Sequence, residues 1–276
     1  VIGFSNLAVG DVIIYQVTAL ASGSNYWYRL RAQNGGGTST NSAVIGPVTA
    51  GAASAPVINN DGGASNWTST SAWINVYLSS TGGVPTTVKV FWDAADRGSV
   101  TNGAGAWGRT NDYGQKPVGL YSNLATGLGP GTTYYYRAYA TNMAGGTWAS
   151  ASTNFTTWAT PAVDNSGGAS GIATNSAWLM GSITSTGQQP TTVYIYWGTN
   201  NGGTTNGSWQ NVTNLGVKPT GLFSNQATGL GPGTQYWYRC YATNSVGGIW
   251  AAASTNFTTL YLAPGVSNGG ASNITE

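Results

Sequence analysis

Along Val88, Val90 and Trp92 the larger apolar side chains fall on every second residue, and Val193, Ile195 and Trp197 repeat the pattern. Successive side chains of an extended strand point to opposite faces, so this alternation predicts strands with one face turned to a core. Ala72, Ile74, Val76 and Leu78 make a second stripe, matched by Ala177, Leu179, Gly181 and Ile183. In a third segment Tyr134, Tyr136, Ala138 and Ala140 share a parity with Leu128. Turn residues punctuate these runs at intervals of about 8 to 12, and helix-favouring Leu, Glu, Lys and Gln are scarce. The expected class is all-β, built from antiparallel sandwiches. Their cores should hold Trp92, Tyr134 and Tyr136, and Trp197, Tyr236 and Tyr238.

The pattern recurs as blocks. Residues 128–142, which run Leu-Gly-Pro-Gly-Thr-Thr-Tyr-Tyr-Tyr-Arg-Ala-Tyr-Ala-Thr-Asn, return 102 positions later as residues 230–244, and a weaker copy stands at 20–34. Gly62-Gly-Ala-Ser65 reappears at Gly167 and at Gly269, Ser71-Ala-Trp73 at Ser176, and Pro85-Thr-Thr-Val88 at Pro190. Between Trp92 and Trp107 there are three more residues than between Trp197 and Trp209, so copies two and three differ there by a loop insertion. Such a period defines an elongated array of domains. It divides the chain into a partial domain at 1–50, full repeats at 55–158 and 160–260, and the opening strand of a further repeat at 261–276. The partial domain is expected to carry later strands only, at 12–20, 25–34 and 42–48, and the last piece a strand near 263–267. Two expectations stay open for these ends: a window on a longer polypeptide, or half-domains completed by strands of a neighbouring subunit.

The Leu-x-Pro-x-Thr-x-Tyr run, followed by alternation into Ala-x-Asn, resembles the E-to-F turn and F strand of fibronectin type III domains. With Thr-Thr-Val-x-(Val/Ile)-(Phe/Tyr)-Trp, a Gly-rich loop, Trp and a closing Asn-Phe-Thr-Thr, residues 55–260 are similar to the tandem repeats of large bacterial surface proteins. The resemblance implies a seven-stranded, Ig-like sandwich in which the Tyr134 and Tyr236 hydroxyls tie down the preceding turn. Copy one departs from it, with Ser22 in place of the Pro and no Trp in its final strand.

Composition narrows the function. Charged residues make up 6% of the chain, where about a quarter is usual, and the net charge is +2. Without clustered Lys and Arg, neither nucleic acid nor an anionic membrane is an expected partner. No apolar run approaches the length of a membrane helix, so no membrane insertion is expected. A surface of hydroxyls and amides with 42 Gly suits an extracellular or cell-surface protein. The chain has no His, which removes the commonest general base and metal ligand, so no catalytic residue, cofactor or metal is expected. The close acidic pair Asp93 and Asp96 is too sparse for a Ca²⁺ cage. Cys240 aligns with Ala138 and Leu30 and reads as a small buried side chain. Sequons at Asn66, Asn154, Asn206, Asn211, Asn256 and Asn273 are what a chain rich in Asn and Thr yields by chance.

Aromatic residues on the outward parity are the remaining signal. Phe91, Tyr135, Arg137 and Tyr139 in the second repeat, and Tyr194, Tyr196, Trp237, Arg239 and Tyr241 in the third, are a candidate interaction face. Three readings are open: cross-strand stacking that stiffens the sheet, lateral contact with neighbouring copies of the same chain, or stacking on glycans. The functional expectation is a non-enzymatic structural array acting as a filament, stalk or adhesin shaft; the rival is a carbohydrate-binding array attached to a secreted hydrolase.

Overall fold

The structure, a computed structural model, describes residues 3–9, 11–18, 20–21, 23–103, 105–270 and 276. In the first segment β1 (Asn25–Tyr28) pairs with β4 (Ile45–Thr49), and β2 (Gln33–Asn34) with β3 (Gly37–Thr38). Here the structure departs from expectation: the described residues of 12–20 form no strand, nor do 263–267. A strand is held by the neighbour it pairs with, and neither segment has one among the described residues. Val12 and Ile14 are correspondingly exposed.

The second repeat comprises β5 (Val57–Asn59), β6 (Ser71–Ser80), β7 (Thr87–Asp93), β8 (Arg109–Gln115), β9 (Gly119–Thr126), β10 (Thr133–Asn142), β11 (Gly145–Trp148) and β12 (Thr153–Thr156). One antiparallel sheet has the order β5-β6-β9; the other runs β8-β7-β10-β11, with β12 also paired to β10. The third repeat contains β13 (Ala162–Asp164), β14 (Ser176–Ser185), β15 (Thr191–Gly198), β16 (Asn211–Lys218), β17 (Gly221–Thr228), β18 (Gln235–Thr243), β19 (Gly248–Trp250) and β20 (Thr255–Thr258). Its sheets are β13-β14-β17 and β16-β15-β18-β19, with β20 on β18, so the topology is the same.

The predicted stripes face each other across each sandwich. Ile74, Val76 and Leu78 of β6 meet Val88, Val90, Tyr136 and Ala138 of the opposite sheet, all fully buried. Leu179 and Ile183 meet Val193, Ile195, Tyr238 and Cys240 in the third repeat. A fully buried aliphatic side chain contributes roughly 1.5–3 kcal/mol, so alternation decides the fold. Of the six aromatics expected inside, five are buried; Trp197 is half-buried against the core edge.

Polar devices then fix the geometry. Gly129 and Gly231 donate their amide N–H to the Tyr134 and Tyr236 hydroxyls, both at 2.9 Å, which is the tyrosine corner the resemblance implies. Deeper in, the Tyr136 hydroxyl donates to the Asn60 carbonyl at 3.1 Å, and the Tyr238 hydroxyl to Met180 at 3.0 Å. Asn60 Oδ1 accepts from Ala138 N–H at 2.9 Å while its Nδ2 donates to the Ala151 carbonyl at 2.8 Å. Asn165 makes the same pair of bonds to Cys240 and Ala253. One amide side chain thus stitches the opening strand of each sandwich to the opposite sheet.

The joint between the full repeats is equally specified. Trp158 donates its N–H to the Thr68 carbonyl and accepts from Gly131 N–H, each at 3.1 Å, and both partners belong to the second repeat. Ala159 donates to the Gly187 carbonyl at 3.0 Å and accepts from Asn244 Nδ2 at 2.8 Å, and both of these belong to the third. The chain therefore passes from one domain to the next across a single peptide bond. Asn244 Nδ2 also donates to the Thr186 carbonyl at 2.9 Å. Gly187 sits at φ +62, where a Cβ would lie 1.9 Å from the Ala159 carbonyl oxygen, so only glycine lets the linker close. Ser54, Gly82 and Asn142 build the same clamp at the entry to the second repeat.

Candidate functional site

The nine residues of the candidate face lie on the outward side of the larger sheet in each repeat, because β7 pairs with β10 and β15 with β18. Arg137 stands opposite Phe91 and Tyr139 opposite Lys89; Arg239 stands opposite Tyr196 and Tyr241 opposite Tyr194. What the face meets is mostly itself. Trp148 of β11 lies over Phe91 with ring centroids 5.1 Å apart and over Tyr139 at 4.8 Å. In the third repeat Trp250 covers Tyr196 at 4.8 Å and Tyr241 at 4.9 Å, and Tyr194 completes the stack at 6.1 Å from Tyr241.

Phe91 and Tyr196 are consequently only 6% and 7% exposed, despite their outward parity. Burial, with Tyr194 and Tyr241 adding to it, raises the Tyr196 hydroxyl above its ordinary pKa. The two arginines act as local staples. Arg137 Nε donates to the Ala149 carbonyl at 2.8 Å and Nη2 to Ser150 at 3.0 Å, with the guanidinium 5.8 Å from the Trp148 ring. Arg239 repeats this on Ala251 and Ala252 at 2.7 and 2.8 Å. These bonds hold the β11–β12 and β19–β20 connections against the sheet. Tyr135 and Trp237 alone stand outside the stacks, beside Asn154 and Asn256 of the final strands.

A second surface went unread in the sequence. On the outer side of the smaller sheet of repeat two, Trp73 is registered opposite Leu124 and Tyr77 opposite Leu120, with exposures of 40%, 45%, 36% and 56%. Its signal was available: Trp73 and Tyr77 share a parity opposite to that of the core stripe. The third repeat dilutes this row, since Trp178 faces Gln226 and Leu222 faces Ser182.

No family model matches the chain, and no curated protein matches it. Among solved structures it is similar to the FN1–FN3 domains of chicken CNTN1, at 16% identity over 87% of this chain and 77% of that one, with a TM-score of 0.33. It is also similar to the sensor domain of the anti-sigma factor RsgI4 from Pseudobacteroides cellulosolvens, at 19% identity over 37% of this chain and 96% of that one, with a TM-score of 0.27. The assignment of fold rests on the strand order and the tyrosine corner rather than on these overlaps. The full repeats are fibronectin type III-like sandwiches.

The remaining candidates for chemistry are occupied in structural roles. Asp93 accepts from Arg97 Nε at 3.1 Å and from Ala94 N–H at 2.6 Å, while Asp96 accepts from Gly98 N–H at 2.9 Å and the Ser152 hydroxyl at 2.7 Å. Cys240 is buried and unpaired, and its thiol is pushed up to about 12 by burial first and by the charge of Asp164 second. A thiol so protonated is a poor nucleophile. Among the described residues no helix is long and apolar enough to cross a membrane, and no group of three His, Cys, Asp or Glu side chains converges on a point. The sequon at Asn273 lies outside the described residues.

Proposed function

We propose that this chain is a non-enzymatic extracellular structural protein, a rod segment of fibronectin type III-like domains that serves as a filament, stalk or adhesin shaft. The observation that carries this reading is the joint: Trp158 and Ala159, adjacent in sequence, are each bonded on both sides to a different repeat. Two domains joined with no intervening free residue transmit bending and tension instead of swinging independently, which departs from the usual expectation of relative domain motion. The surface of hydroxyls and amides, with only 6% charged residues, suits work outside the cell.

In this reading, side-by-side contact between copies of the chain uses Trp73, Tyr77, Leu120 and Leu124, exposed apolar side chains that flank the polar Asn75–Ser122 pair on one sheet face, since exposed apolar surface of this kind is the usual mark of an interface. The stacked face stiffens each domain instead. Electron microscopy of the purified chain, alone and with Trp73→Ser and Leu124→Ser combined, tests both parts. Straight particles that align side by side, and that remain straight but separate in the double variant, are expected. Particles bent freely at the joint would overturn the rod.

A further inference from the structure

An open groove of about 310 Å³ lies at the joint, lined by Asn66 and Trp67 of the second repeat, Trp158 of the linker and Gln188 of the third repeat. We infer that this groove binds a neutral oligosaccharide, a role that goes beyond the mechanical one. The argument starts from the internal repeat, because each lining residue has a counterpart in the other full repeat and all four differ from it, although Asn66 recurs as Asn273 in the final segment. Gly171 and Ile172 stand where Asn66 and Trp67 would be, Gly83 where Gln188 would be, and Leu260 and Ala50 at the two other positions equivalent to Trp158.

The amide substitutions oppose local backbone chemistry. Asn66 and Gln188 hold φ of 46° and 65°, and their counterparts Gly171 and Gly83 hold 54° and 82°. Glycine occupies that region at no steric cost, whereas an L side chain there is strained, and Gln more so than Asn. Strain retained at two positions facing one groove points to a job for their side chains. Neither side-chain amide has a hydrogen-bond partner among the described residues. Both are exposed, whereas Trp67 is half-buried, braced against Phe155 with centroids 6.3 Å apart.

Two indoles, one of them braced on the core, and two unpartnered amides are the chemistry of sugar recognition. The apolar C–H face of a pyranose ring packs on the electron-rich face of an indole, and the amides each offer a donor and an acceptor to vicinal hydroxyls. No charged residue lines the groove, so nothing favours an anionic ligand. The volume lies at the small end of ligand sites, which fits a few sugar units rather than a folded protein.

The test uses the whole chain, produced in a bacterial host without N-glycosylation so that Asn66 is unmodified. Cellopentaose, chitopentaose, mannopentaose and, as a counter-probe, a proline-rich peptide are titrated while the indole N–H resonances of Trp67 and Trp158 are followed. Saturable shifts of those two indoles with at least one sugar are expected. Trp158→Leu and Gln188→Gly, which install residues the other copies carry, should each weaken binding about tenfold or more with unchanged thermal unfolding. Absence of saturable shifts with all three sugars, binding of the peptide only, or full affinity in both variants would overturn the assignment.

Discussion

The second and third repeats share one topology yet fill the same part of the core differently. Val76 of the second is replaced by Gly181 in the third, and the space is taken by Cys240, larger than the Ala138 of the second, and by the buried ring of Phe223, where the second has the half-buried Tyr121. A Cβ on Gly181 would lie 2.3 Å from the Phe223 ring and 2.6 Å from Cys240 Sγ. The lesson is that no single side chain at this level defines the sandwich; its summed volume does. What stays constant is the polar frame: Asn60 or Asn165 across the sheets, the tyrosine corner, and the Asn142 or Asn244 clamp on the incoming linker.

The strongest way to break the comparison is to move one side chain without its partners. Gly181→Val should destabilise the third repeat by about 3 kcal/mol through overpacking, and adding Cys240→Ala should recover part of that loss. Urea unfolding, with each repeat followed by its own amide resonances, would report it; a neutral Gly181→Val would contradict the exchange of volume. The polar frame comes next. Asn60→Ala and Asn165→Ala should each cost about 2 kcal/mol in their own repeat, because a buried N–H is left without an acceptor. Unequal losses would show that the frame is not shared after all.

The stacked face offers a smaller effect. Trp148→Ala and Trp250→Ala uncover Phe91 and Tyr196, and each should cost its repeat on the order of 1–2 kcal/mol from lost ring contacts and burial. Retained stability with new self-association would instead return this face to the role of an interface.

Acid should separate the repeats most gently. Burial works against ionisation of Asp93, but Arg97 and the Ala94 and Gly108 amides outweigh it and hold its pKa below 3.8. The Gly98 N–H, with Ser152, does the same for Asp96, and the Gly114 N–H, with Lys89, for Asp112. The ionised forms therefore stabilise the second repeat above the unfolded-state value, and this is lost as pH falls through the lowered folded-state values. The third repeat has Gly198, Asn201 and Asn214 at the three positions. Amide exchange measured from pH 5 downward should show earlier loosening of the second repeat; equal behaviour would contradict these contacts.

Much of this fold was legible in the sequence, because alternation and repetition report directly on burial. Val88, Val90, Tyr136 and their counterparts lie where parity put them. The candidate face was legible as a location but not as a state. Parity says that Phe91 and Tyr196 leave the core side, but the cover supplied by Trp148 and Trp250 comes from β11 and β19, whose pairing is a tertiary fact. The outward parity of Trp73 and Tyr77 was legible, but setting Leu124 and Leu120 opposite them needed the register of β9 against β6, and the groove at the joint needed the placement of two domains. The expected strands at 12–20 and 263–267 failed for the same reason, since apolar pattern alone does not supply a neighbour.

The central claim is that Trp158 and Ala159 make one rigid unit of the two full repeats. Spin labels on cysteines introduced at exposed Thr126 and Ser224, read by pulsed electron resonance, measure it directly; buried Cys240 would be masked from labelling by its environment. The clamp predicts a single narrow distance distribution that broadens in Asn244→Ala. A broad distribution in the unaltered chain, or one indifferent to Asn244→Ala, would contradict it.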